Sequence, residues 1–110
     1  MADDDRRPAP EPPEPPELRR LRRRIDALDR RIVALLNERA ELGRDAGRVK
    51  DAAGRRAIRD AEREREVLLR VTMANTGPMP QADLLAIYRR LFAVSRTLEA
   101  RDRRRPDTRG

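Results

Sequence analysis

The sequence predicts an all-α fold of three helices: a long first, a short second and a medium third. Apolar residues recur in steps of three and four over most of the chain, no run alternates polar and apolar as a strand would, and glycine and proline mark the breaks. Composition limits what such a fold can bury. Of 110 residues, 43% are charged and 37% hydrophobic, with one Tyr, one Phe and no Trp, enough for one small domain with an aliphatic core.

Residues 7–17 hold six of the nine prolines, interleaved with Glu, a composition that favours extended chain with no core to join. Residues 1–17 are therefore expected to be a disordered acidic tail. From Leu18 the texture changes. Leu18, Leu21, Ile25, Leu28, Ile32, Leu35, position 39, Leu42, Ala46 and Val49 form an a/d seam, predicting a helix of roughly 32 residues and about 48 Å. A helix of that length outruns what the rest of the chain can cover, so a partner helix, most simply from a second copy, is expected. Gly54 ends it, and a second helix is expected from about Ile58 to Met73. Asn75, Thr76, Gly77 and Pro78 form a turn, and Pro80 suits the first turn of a third helix. That helix repeats the seam through Leu84, Tyr88, Leu91, Ser95 and Leu98. The folded domain is expected over residues 18–101, with residues 102–110 a fraying basic tail.

Zero cysteines and zero histidines exclude a disulfide framework, thiolate metal sites and imidazole acid–base chemistry. No apolar run approaches the ~20 residues that span a bilayer, and the proline-rich acidic start is unlike a signal peptide. A soluble cytoplasmic protein is the expectation. The formal charge is +7, and with an acidic leader most of the positive charge falls on the helical body. Such a body draws anions, whether nucleic acid, phosphate or a small polycarboxylate.

The residues that violate the seams are the candidates for chemistry. Arg39 occupies a seam position between Leu35 and Leu42, where burying a guanidinium without a counter-charge is expensive. Lys50, the only lysine among 27 basic residues, follows eleven residues later, about three turns on, and so shares its face. A lysine offers a compact point charge where arginine offers a planar fork. Arg22 points elsewhere on the same helix, but in an antiparallel pair of long helices it would approach the other copy's Arg39 and Lys50. Asp60, Arg63 and Glu64 fall at helical spacings on the stripe that continues through Val67 and Val71. Ser95 interrupts the third seam, and Glu99 follows one turn later. The plain alternative is a set of solvated faces and intrahelical ion pairs worth ~0.3–0.5 kcal/mol each, and for Ser95 a hydroxyl bonded to its own helix.

The string Leu21-Arg22-Arg23-Arg24-Ile25-Asp26-Ala27-Leu28-Asp29, then Leu35-Leu36-Asn37-Glu38-Arg39, Lys50 and Asp60-Ala61-Glu62-Arg63-Glu64, resembles the all-helical chorismate mutases. Gly77-Pro78-Met79-Pro80 leading to Phe92-Ala93-Val94-Ser95-Arg96-Thr97-Leu98-Glu99 is similar to that family's third helix. The resemblance covers about residues 18–101. It implies an intertwined homodimer with two active sites, and the Claisen rearrangement of chorismate to prephenate in aromatic amino-acid biosynthesis, without cofactor or metal. It also implies roles. Arg39 and Arg63, with Arg22 from the other copy, would hold the two carboxylates of the substrate, Lys50 would donate to the ether oxygen, Asp60 and Glu64 would bind around the ring hydroxyl, and Ser95 would contact a carboxylate edge. Lys50, Glu99 and Arg39 are the expected catalytic set. One position departs from many members: Glu99 stands where they carry a glutamine that donates to the ether oxygen. A carboxylate cannot donate, so Glu99 must be protonated to serve, and turnover is expected to decline as pH rises.

Two rivals remain open at this level. One is the same fold acting on isochorismate as a pyruvate lyase, or on 4-amino-4-deoxychorismate. The other is a non-enzymatic arginine-rich helical binding module, favoured by Arg101–Arg105 but opposed by the lack of a nucleic-acid motif and of stacking aromatics. Relatives also occur with the first synthase of the shikimate pathway, so a separate synthase is a candidate partner.

Overall fold

The computed structural model describes residues 8–105. Its three helices are α1 (Pro16–Ala52), α2 (Ala61–Ala74) and α3 (Gln81–Arg104), with no strand among the described residues. The chain divides into two units, one ending at Leu35 and one beginning at Leu36, with α1 contributing to both.

In the first unit, α1 starts at Pro16, two residues before the sequence-based boundary. A proline in the first turn gives up no hydrogen bond, and Glu17 places a negative charge at the positive end of the helix. The expected tail over residues 1–17 is therefore shorter in its described part, and residues 1–7 lie outside the description. Every seam residue of this unit is exposed: Leu18, Leu21, Ile25, Leu28, Ile32 and Leu35.

In the second unit, α1 runs to Ala52 and ends in a Schellman arrangement, with the Arg55 amide donating to the Lys50 carbonyl at 2.9 Å and the Gly54 amide to the Asp51 carbonyl at 3.0 Å. Gly54 has φ +77°, the left-handed conformation such an ending demands. Lys50 in the last turn complements the negative end of the helix.

Helix α2 begins at Ala61, three residues later than expected, because Asp60 is its N-cap: the Asp60 carboxylate accepts from the Arg63 amide at 2.9 Å. This corrects the sequence-based placement of Asp60 on the helix itself. The spacing of three that suggests a shared helical face is also the spacing of a cap to its N3 amide. After α2, Asn75 Nδ2 donates to the Met79 carbonyl and to Gln81 Oε1, both at 2.9 Å, which fixes the turn into α3. Pro80 is the N-cap of α3.

Helix α3 runs to Arg104, past the expected domain end at 101, because Asp102 is tied down. Arg44 of α1 grips it bidentately, Nε and Nη2 donating to the two carboxylate oxygens at 2.9 and 3.0 Å. The hydrogen bond from Arg44 is the main reason the Asp102 carboxyl sits below the ordinary aspartate value, and the pairing pushes the Arg44 guanidinium up. Residues 106–110, the rest of the expected basic tail, lie outside the description. Buried residues are few: Phe92 (6% exposed) is the core hydrophobe, joined by Gly47 and by one charged side chain, Glu99 (7%). No helix among the described residues is long and apolar enough to cross a membrane.

Candidate active site

The second unit packs α1 toward α3 with an unusual face. Leu42 and Val49 of the seam stay exposed. The residues of α1 that meet α3 are Arg39, Gly43, Gly47 and Lys50, a stripe one helical turn apart at each step. Glycine makes room there: a Cβ on Gly43 would lie 3.7 Å from Ser95 Oγ, and one on Gly47 would lie 3.0 Å from Glu99 Cγ.

A cavity of about 340 Å³ opens beside this stripe, and seven of the eight sequence-predicted site residues line it: Arg39 and Lys50 from α1, Asp60 before α2, Arg63 and Glu64 on α2, Ser95 and Glu99 on α3. The eighth, Arg22, belongs to the first unit, where its Nε pairs with Glu14 at 2.9 Å. A second cavity of about 450 Å³, between Arg44 and the last turns of α3, contains none of the eight.

The cations of the site are held in different ways. Lys50 Nζ lies 3.1 and 3.3 Å from the two oxygens of Glu99. Arg39 forms no ion pair among the described residues. Its guanidinium sits 5.7 Å from the Phe92 ring centroid and 5.8 Å from that of Tyr88, and it donates to Ser95 Oγ at a long 3.4 Å. The two rings meet edge to face at 6.4 Å. Aromatic faces steady a guanidinium by cation–π attraction without occupying its donors, so Arg39 is a positioned cation with hydrogen bonds still to give. Arg63, more exposed, pairs with Glu66 one turn on at 3.2 Å.

The acids are engaged as well. Glu64 receives Arg96 at 2.5 Å and Arg59 at 3.5 Å. Asp60 spends one oxygen on its cap, and a carboxylate has acceptor capacity beyond that. Glu99 lies between Lys50 and Arg103, whose Nη2 is 3.3 Å from its Oε1. With Arg39, Lys50, Arg63 and Arg96 facing Asp60, Glu64 and Glu99, the lining carries an excess of positive charge. It suits a small polyanion that also offers a hydroxyl. Among the described residues no group of three or more His, Cys, Asp and Glu could hold a metal ion.

The model of the family described as chorismate mutase type II matches residues 21–100. The chain belongs to this family. Over 79 residues, 68% of the chain, it is 38% identical to the bifunctional chorismate mutase/prephenate dehydratase of Aquifex aeolicus (strain VF5), and the match covers 22% of that protein. Over 80 residues, 69% of the chain, it is 34% identical to the enzyme of the same description from Stutzerimonas stutzeri, again over 22% of the relative. The chain thus spans about a fifth of these curated relatives. Among solved structures, chorismate mutase (Form II) from Thermus thermophilus matches with a TM-score of 0.72 and 33% identity, over 77% of this chain and 96% of that one.

Sequence reasoning missed three contributors to this chorismate mutase domain. Arg96 and Arg103, which partner Glu64 and Glu99, are hidden among many arginines, and nothing in the charge pattern separates them from solvated neighbours. Gly47 had a signal: Gly43 and Gly47 stand four apart on the face of Lys50, the spacing of a smoothed helix surface.

Proposed function

We propose that this chain rearranges chorismate to prephenate, working as a pair of identical copies. The observation that carries the reading is Arg39: a half-buried guanidinium with no carboxylate partner among the described residues, held on two aromatic rings in a cavity that also contains the only lysine.

The reaction is unimolecular. An ether carbon–oxygen bond breaks while a carbon–carbon bond forms, and nothing is oxidised or reduced. The protein needs to hold the reacting ends together and to stabilise charge on the ether oxygen. Arg39 and Arg63 hold the substrate's carboxylates, since a planar fork matches a carboxylate. Lys50 swings from Glu99 to donate to the ether oxygen and an adjacent carboxylate. Asp60 and Glu64 receive the ring hydroxyl, and Ser95 touches a carboxylate edge. Glu99 stands beside Lys50 on the ether-oxygen side of the cavity.

The uncovered seam of the first unit supports the paired state, because six exposed Leu and Ile residues along one stripe are costly to leave in water. In that pair, Arg22 of a second copy completes the carboxylate clamp.

The test is loss of chorismate absorbance with purified protein, with the product identified by its conversion in acid to phenylpyruvate. Prephenate formation, retained in Glu99→Gln, is the expected result. Inertness toward chorismate with turnover of isochorismate would overturn it.

A further inference from the structure

Glu99 is the most deeply buried charged side chain among the described residues, and Lys50 alone does not account for its position. Its stem lies flat against Gly47, so it has no room to retreat toward α1. On the other side stands Arg103, one turn later on α3 and absent from the cavity lining. The Arg103 guanidinium does three things at once: Nη2 reaches Glu99 Oε1 at 3.3 Å and the Arg55 carbonyl at 3.2 Å, and Nη1 donates to the Arg56 carbonyl at 2.6 Å. Those carbonyls follow the Gly54 turn that closes α1. Its Nε is buried without a hydrogen bond and lies 3.9 Å from Asp51.

We propose that Arg103 is a positioning residue: it holds the Glu99 carboxyl at the floor of the cavity by one oxygen and anchors that grip to the loop between α1 and α2. The inference rests on the chorismate reading for its kinetic consequence only. When the substrate draws Lys50 away, Glu99 loses one of its two cations and would be free to rotate. Arg103 retains it, with the oxygen that Arg103 does not grip turned to the substrate. A lysine has the charge but not the fork, and cannot serve Glu99 and two carbonyls together.

The test uses the full chain with Arg103→Met, Arg103→Lys and each combined with Glu99→Ala. In the native background, Arg103→Met should lower kcat about tenfold with a smaller change in KM. In the Glu99→Ala background, where no oxygen is left for Arg103 to grip, the same change should cost less than about twofold, since residues acting as a unit are non-additive. Arg103→Lys should recover part of the loss. Equal losses in both backgrounds would overturn the proposal, because Arg103 would then act without Glu99. The carboxyl carbon resonance of Glu99 in selectively labelled protein gives a readout that needs no substrate. It should move in Arg103→Met and return part of the way in Arg103→Lys, with helical content unchanged in both. An unmoved resonance would overturn the positioning role even in an active enzyme. A moved resonance in a chain inert toward chorismate would leave that role standing and overturn the reaction instead.

Discussion

The two portions of α1 carry the same heptad and use it differently. Up to Leu35 the seam is purely aliphatic, exposed at every position, and carries no part of the cavity. From Leu36 onward the seam is still exposed at Leu42 and Val49, and the helix meets α3 through the Arg39, Gly43, Gly47 and Lys50 stripe instead. One helix thus has two addresses: an oily stripe that nothing in its own unit covers, and a polar, glycine-smoothed stripe where the site is built. On the proposed reading, the apolar pattern is where a second copy would dock, and the departures from it are where the chemistry would lie.

The comparison can be broken most severely at the site. Arg39→Ala or Lys50→Ala should lower kcat/KM by roughly a thousandfold or more, as losses of transition-state charge stabilisation do, while circular dichroism shows an unchanged helical protein. Near-native turnover in either variant would mean that the polar stripe is not the site. Arg22→Ala should be comparably inactive although it lies on the first unit. Refolding equal amounts of the Arg22→Ala and Lys50→Ala chains together should restore about a quarter of native activity, because half of the pairs would be mixed and each mixed pair has one intact site. No recovery would show that Arg22 does not act across copies.

On the aliphatic side, Leu28→Asp should dissociate the pair in sedimentation and lower helicity, since a long helix without tertiary cover is marginal. Gly47→Ala sharpens the contrast from within. The added methyl falls 3.0 Å from Glu99 Cγ, so kcat should drop about tenfold, while the ~1 kcal/mol by which alanine exceeds glycine as a helix former leaves the fold intact or firmer. Activity equal to native would show that Glu99 adjusts freely.

The smallest effect concerns Asp102 and is a matter of stability, not turnover. Its carboxyl is held below the ordinary value chiefly by the hydrogen bond from Arg44. The stabilisation is therefore present above the unfolded-state value and is lost as pH falls through the folded-state one. The native melting temperature should fall in acid, and Asp102→Asn should be less stable at neutral pH but show a shallower acid decline. Parallel acid limbs would assign the decline to other carboxylates.

Most of the fold was legible because α1 and α3 are long and strongly periodic, and because Gly54 and the Asn75–Pro80 segment are explicit stops. Arg39 was legible because it interrupts a stripe of leucines. Asp60 was misplaced because a cap and a helical face share a spacing of three, and only the backbone decides between them. The end of α3 was cut short because Arg44 and Asp102, 58 residues apart, look like ordinary surface charges until the fold joins them. Arg103 escaped for the same reason, one arginine in a run whose members differ only by what lies opposite.

The chain contains no tryptophan and a single tyrosine, and that tyrosine, Tyr88, lies 5.8 Å from the Arg39 guanidinium. Its emission comes from one address. An anion that draws Arg39 off the ring changes the surroundings of the only strong ultraviolet emitter in the protein, so the cavity carries its own optical gauge. Titration with a transparent dicarboxylate reads occupancy in the native sequence, without a label and without turnover.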